Sequence, residues 1–227
     1  LLCRANAAAR GSAASRRTSR RVLKNTYAAF RSPKTMRYVV FDIETQNFFD
    51  EIGSNDPAQL DISVVSVYDS GSDSYTTVSV SELEQLWPVF EQADALIGYN
   101  SNHFDIPLLN KYYPGSLLSI RSIDLLEAIK DSFGRRVRLD AVAEATLGAR
   151  KSANGFQAVA WWKQGEIEKI KKYCQMDVEL TKRLFEYALA NGKLHIREGL
   201  KKRDIPIDTS SWQQSDANPA MTHSLPF

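Results

Sequence analysis

Asp42 and Glu44 stand two residues apart at the end of the run Arg37-Tyr38-Val39-Val40-Phe41-Asp42-Ile43-Glu44-Thr45. The aliphatic and aromatic residues before them suit a buried strand. In a strand, residues i and i+2 face the same side. The two carboxylates therefore share one face, and Phe41 and Ile43 share the other. Like charges side by side repel and resist desolvation. A divalent cation relieves both costs; a strand end with two solvated acids is the equally weighted alternative on this stretch alone. Asp105 follows Phe104 at the start of a helix, where an acid also suits the helix dipole, and capping is the stronger reading of that residue by itself. Tyr173 and Asp177 are four residues apart on a late helix and so lie one turn apart on one face. Such a pair is common and says little alone. His103 is one of three histidines. It has no second histidine or cysteine at ligand spacing, which favours a surface residue over a zinc ligand.

These residues need elements to hold them. After the strand at 37–45, residues 46–60 read as a polar loop. Asp61–Tyr68 alternates well enough for a second strand, Asp69–Asp73 for a turn, and Tyr75–Val80 for a third strand. Ser81 with Glu84 has the form of a capping box opening a helix through Leu86, and Pro88 starts a second helical turn. Ala95–Gly98 is a short buried strand. The loop from Gly98 to Phe104 then enters the helix headed by Asp105. Ligands and catalytic groups collect at such strand ends in α/β sheets. Ile123–Phe133 reads as a helix with Asp124 near its start, and Leu139–Leu147 as another, ended by Gly148. Lys151–Gly155 is a connector. Trp161 and Trp162 read as core packing in preference to a base-stacking platform. A long helix runs from about Glu166 to Ala190 and stops at Asn191-Gly192. Strand, hairpin, helix, strand is the order of a mixed α/β sheet. The expected organisation is a disordered basic leader over residues 1–35, one domain over 36–192, and short extended pieces with a loose tail over 193–227.

The chain has 227 residues and a formal net charge of +2, which hides an asymmetry. Residues 1–35 carry nine Lys and Arg and no acid. The other 20 Lys and Arg face all 27 Asp and Glu, so residues 36–227 carry a net −7. The folded part is acidic, and the whole-chain charge does not describe a basic nucleic-acid-binding domain. The leader fits three expectations. It has the composition of an organelle transit peptide, or of a basic arm for nucleic acid, or it precedes a true initiator at Met36, which is slightly favoured. No run approaches the roughly 20 apolar residues of a membrane span. Cys3 and Cys174 form neither a zinc spacing nor a disulfide framework, so a reducing compartment is the default. The expected location is cytoplasmic, or an organelle if the leader is a transit peptide, with no membrane partner.

Taken in order, the motifs resemble the DEDD superfamily of 3′–5′ exonucleases. The first is Asp42-Ile43-Glu44-Thr45. The second is Gly98-Tyr99-Asn100 with Phe104-Asp105. The third is Tyr173-Cys174-Gln175-Met176-Asp177. The resemblance covers roughly residues 37–190. It is closest to compact exonucleases related to the proofreading domains of family B polymerases. In the histidine branch the residue five before the last Asp is histidine, and here it is Lys172. In the tyrosine branch the residue four before is tyrosine, and here it is Tyr173. The chain therefore resembles the DEDDy branch.

The resemblance implies a ribonuclease-H-like fold, a mixed β-sheet flanked by α-helices. It implies hydrolysis of phosphodiester bonds at the 3′ end of single-stranded nucleic acid, DNA favoured over RNA, with release of nucleoside 5′-monophosphates. Two divalent cations about 3.5–4 Å apart serve the attacking and leaving oxygens in such chemistry. An all-carboxylate set suits Mg²⁺ or Mn²⁺ over zinc. By resemblance, Asp42, Glu44 and Asp177 surround one metal, Asp42 bridges to a second, and Asp105 supports that side. Tyr173 orients the attacking water. Asn100 touches the terminal nucleotide. Arg135, Arg136, Arg138, Arg150 and Lys151 are candidate phosphate contacts, weighed equally against a solvated surface. A helicase or polymerase partner is compatible with this reading. The competing functions are a ribonuclease-H-like endonuclease on hybrids or junctions, and a non-catalytic nucleic-acid-binding module.

Overall fold

The computed structural model describes residues 36–149 and 155–213. The leader, the candidate contacts Arg150 and Lys151, and residues 214–227 lie outside the described residues.

Five strands form the main sheet: β1 (Tyr38–Thr45), β2 (Ile62–Asp69), β3 (Ser74–Ser79), β4 (Ala95–Gly98) and β5 (Ser122–Asp124). Their spatial order is β3-β2-β1-β4-β5. β2 runs antiparallel to both β1 and β3, whereas β4 and β5 run parallel to β1. This is the mixed sheet expected from the motif order. The helices are α1 (Phe49–Ile52), α2 (Trp87–Glu91), α3 (Asp105–Asn110), α4 (Leu125–Phe133), α5 (Leu139–Leu147), α6 (Gly155–Lys163) and α7 (Ile167–Asn191). A hairpin of β6 (Lys193–Glu198) and β7 (Lys201–Pro206) follows.

The alternation of β1 decides which side carries chemistry. Val39, Phe41 and Ile43 enter one core layer with Leu96, Phe90 and Leu108. Val40 enters the other, with Ile97, Val178, Leu184 and Phe185. Burying each of these side chains stabilises the fold by about 1.5–3 kcal/mol. Asp42 and Glu44 continue the Val40 face, so they look toward α7. The 25-residue α7 closes that face with its apolar stripe, and Ile170, Cys174, Val178, Leu184 and Phe185 are all buried. It ends at Gly192, whose φ of 63° is a left-handed cap that most side chains resist.

Four local expectations shift. The capping box is Ser79 with Glu82, not Ser81 with Glu84: the Glu82 carboxylate accepts from the Ser79 backbone at 3.1 Å and from its hydroxyl at 2.8 Å. β3 ends at Ser79, so the unpaired N–H groups begin there, and the turn that follows (Val80–Leu86) is a 3-10 helix. Ile123 belongs to β5, not to a helix, because it pairs beside Ile97 and is buried. Gly155 opens α6 where the sequence suggests a connector. The short extended pieces expected after residue 192 are β6 and β7, but Trp212, in the stretch expected to be a loose tail, is buried. Leu194, Ile196, Ile205, Ile207 and Trp212 all enter the α7-side core, and Trp212 stacks on Phe185 at 5.4 Å.

Candidate active site

The carboxylates arrive from three elements. Asp42 and Glu44 come from β1, Asp105 from the first turn of α3, and Asp177 from the middle of α7. Glu44, Asp105 and Asp177 are buried, and Asp42 is half-buried. Oxygens of Asp42, Glu44 and Asp177 all lie within 4.8 Å of one another. Asp105 lines the same cavity but is not a member of that cluster. The cavity measures about 780 Å³, and Tyr173, Asn100 and Arg138 also line it. The structure therefore brings Asp42, Glu44, Asn100, Asp105, Arg138, Tyr173 and Asp177 to one cavity, which Arg135 and Arg136 do not line; Arg150 and Lys151 are outside the described residues. His103 is exposed on the loop, away from the cluster.

The electrostatics are those of a site that wants positive charge. Burial, then the Asp124 carboxylate, push the Asp105 carboxyl up to about 8. Hydrogen bonds from its own backbone and from Ile43 pull the other way, and Asp177 adds to the push. Burial, then Asp177, Glu44 and Asp42, raise the Tyr173 phenol well above its usual value. Its side chain is hydrogen-bonded to Asp177. Cys174 is raised by burial and by the same three acids. Three oxygens at this separation, all from carboxylates, fit a hard cation better than a thiolate- or imidazole-seeking one.

Neighbours explain how these side chains are held. Tyr173 packs edge-on against Trp161, with ring centroids 6.2 Å apart. The Trp pair thus lies against a small core of Val64, Ala158, Ile170, Tyr173 and Cys174, as expected of packing residues. The Cys174 thiol points at the Asp42 backbone carbonyl, 3.2 Å away, and lies 3.6 Å from its carboxylate. Asn100 has a φ of 69°, a left-handed conformation that Asn tolerates better than most residues. A Cβ built on Gly98 would overlap the Ser101 side chain, so the strand-to-loop exit requires glycine there.

Sequence reasoning underrated Asp124. Its carboxylate caps α4 through Leu126 N–H at 2.9 Å and also accepts from Asn100 N–H at 2.8 Å and Asn102 N–H at 3.0 Å. One buried acid thus aims both the helix and the loop that lines the cleft. Its signal was present as an acid just before a helical pattern, but its long-range bonds were not. The rim aromatics also went unnoticed. Phe48 and Phe156 meet at 5.3 Å, and Phe156 is 73 % exposed at the mouth of the cleft. Phe48 sits in a stretch read as loop, and Phe156 just after one read as connector, so neither has a periodic pattern to mark it.

The chain matches the family model of the RNase H superfamily over residues 39–189. Among curated proteins no match is found. The family B DNA polymerase from the hyperthermophilic archaeon Pyrobaculum calidifontis is structurally similar, with a TM-score of 0.54 and 22 % sequence identity. The alignment covers 68 % of this chain and 24 % of the polymerase, so the chain spans about a quarter of that protein's length. At this identity the likeness speaks for the fold.

Proposed function

The chain belongs to the RNase H superfamily, and from that premise we propose that it is a metal-dependent 3′–5′ exonuclease of the DEDDy type. Its substrate is the 3′ end of a single strand, DNA before RNA, and its products are nucleoside 5′-monophosphates. The observation that carries this reading is the meeting of Asp42, Glu44 and Asp177 within 4.8 Å in a cavity that also holds Asp105 and Tyr173.

Asp42, Glu44 and Asp177 would hold Mg²⁺ or Mn²⁺, with Asp105 supporting a second cation, and the bound metal supplies an activated water and stabilises the leaving oxygen. The protein's own side chains do the rest. Tyr173 keeps its proton at neutral pH, because burial and three acids disfavour the phenolate. Its part is that of a hydrogen-bonding group that orients water. Asn100, fixed by Asp124 and in contact with Arg136, presents its amide to the terminal nucleotide. Arg138 offers a guanidinium to a phosphate at the cleft wall.

The test uses 5′-labelled single strands of DNA and RNA with Mg²⁺, Mn²⁺ or EDTA. A ladder shortening from the 3′ end, absent in EDTA and weaker for Tyr173→Phe, is expected. Opening of a circular strand would instead assign an endonuclease, since an exonuclease has no end to attack.

A further inference from the structure

Positive charge is scarce on the acidic body of this chain, yet it gathers on one band. The β6–β7 hairpin carries Lys193, Arg197, Lys201, Lys202 and Arg203 against only Glu198 and Asp204. Lys193 is held by Asp204 at 2.7 Å. Arg203 reaches Glu198 at 3.3 Å. Arg197, Lys201 and Lys202 are exposed around the turn, beside the fully exposed Leu200.

The hairpin is joined to the cleft by a chain of contacts. Glu198 also receives Arg135, at 3.6 Å, from the connection between α4 and α5. Arg135 and Arg203 each lie over the Phe133 ring, 4.8 Å from its centroid. Two guanidiniums thus share one ring and one carboxylate, and they fasten the hairpin to residues 134–138. The same connection then supplies Arg136, which donates to Asn100, and Arg138, which pairs with Asp140 at 2.9 Å. Arg136 and Arg138 line a second cavity of about 340 Å³ that shares Tyr99, Asn100 and Arg138 with the carboxylate cleft. Contacts of Arg203 and Glu198 with Phe133 and Arg135 thus tie the hairpin to the connection that carries Arg136 and Arg138, and Arg197 and Lys202 project from the other face of the turn.

We propose that this band is a second nucleic-acid-binding site. It holds the phosphodiester backbone of the single-stranded DNA whose 3′ end occupies the cleft, and so rests on the exonuclease reading above. The hairpin turn grips phosphates several nucleotides upstream, and Arg136 and Arg138 guide the strand inward. The physical need is plain. A body with net negative charge repels a polyanion everywhere except where its cations are concentrated. Backbone contacts by Lys and Arg release condensed counterions, so such a band makes affinity salt-dependent without reading sequence. Lys201 and Lys202, at the hairpin turn and outside both cavities, add grip to a strand long enough to reach them.

The test measures binding of 5′-fluorescein DNA strands of about 4 and about 20 nucleotides by anisotropy. The full chain and an Arg197→Gln/Lys201→Gln/Lys202→Gln variant are compared in EDTA, which prevents cleavage. The variant is expected to bind the long strand about tenfold more weakly at about 0.1 M salt. It should also lower the slope of log K against log salt by about 2, at about 0.7 for each lost single-strand contact. Binding of the short strand should change less than about twofold. Unchanged long-strand binding would reduce the band to a solvated surface and leave the exonuclease reading standing. An equal loss for both lengths would overturn the upstream placement. Failure of the unmodified protein to bind either strand would overturn this proposal and count against the exonuclease reading as well.

Discussion

Asp69 and Asp105 are equally hidden from water, each 5 % exposed, yet the protein treats them in opposite ways. Asp69 lies at the end of β2 beside the start of β1. Arg37 grips its two oxygens at 2.9 and 2.7 Å, and Gly71 N–H and the Ser72 hydroxyl each donate at 2.8 Å. Burial alone would raise this carboxyl, but these donors outweigh burial and hold it below its usual value. Asp105 lies near the other end of β1. There burial and Asp124 dominate, and the carboxyl is raised. One acid is satisfied by the chain itself. The other sits among further acids, in a cavity that a cation would complete. The difference teaches how the same burial can be handled: one acid brings its own countercharge, and the other, on the function proposed above, leaves that role to a ligand.

Substitutions can break or sharpen this contrast. The largest effect is expected from Asp42→Asn. It should lower strand cleavage by about 10³-fold or more, because on the proposed function it would remove a cation ligand. Circular dichroism should show the fold intact. A fully active Asp42→Asn protein would sink the assignment of the cluster. Tyr173→Phe comes next, with a fall in kcat of about 10- to 100-fold and little change in KM, as for a group that orients water in the reaction step. An unchanged pH–rate profile in this variant would fit an orienting hydroxyl, whereas loss of the rise in rate with increasing pH would identify a titrating base.

At the opposite end of β1 the loss should be in stability and not in activity. Asp69→Asn is expected to cost about 2 kcal/mol at neutral pH, since charge-assisted bonds to Arg37 are lost from a buried position. The sign with pH follows from the lowered folded-state value. The stabilisation is present above the ordinary carboxylate pKa of about 4 and is lost as pH falls through the folded value below it. Denaturant melts of wild type and variant should therefore converge on acidification. Asp105→Asn should do the reverse in metal-free buffer. Replacing a buried acid among acids by a neutral amide is expected to stabilise by about 1 kcal/mol, a rise in Tm of about 2–4 °C. A drop in Tm would show that Asp105 is balanced by its backbone donors, and would erase the contrast with Asp69.

Much of the fold is legible in the sequence alone. β1, β4 and α7 are long-patterned or fully apolar, and α5 runs from Leu139 to Leu147 as its pattern and terminal Gly148 require. Errors fell where local signals conflict. Ser79 and Ser81 both precede a Glu at capping distance, and only the end of β3 chooses between them. Ile123 suits a helix as well as a strand, until Ile97 appears beside it. The hairpin at 193–206 is polar on one side and apolar on the other. A short pattern of that kind does not reveal the core layer that Ile196 and Ile205 complete.

By itself the sequence determined which residues could do chemistry. A strand with carboxylates at i and i+2, an acid heading a helix, and a tyrosine one turn before an acid are local facts, set by covalent spacing and backbone period. Only the tertiary structure decided that Asp177 meets Asp42 and Glu44 within 4.8 Å, that Asp124 aims the Asn100 loop, and that Cys174 abuts Asp42. Those contacts join residues separated by 22 to 135 positions, and they depend on how α7 and the loop after β4 pack against β1. Packing of that kind is settled by the whole core at once, and no local period records it.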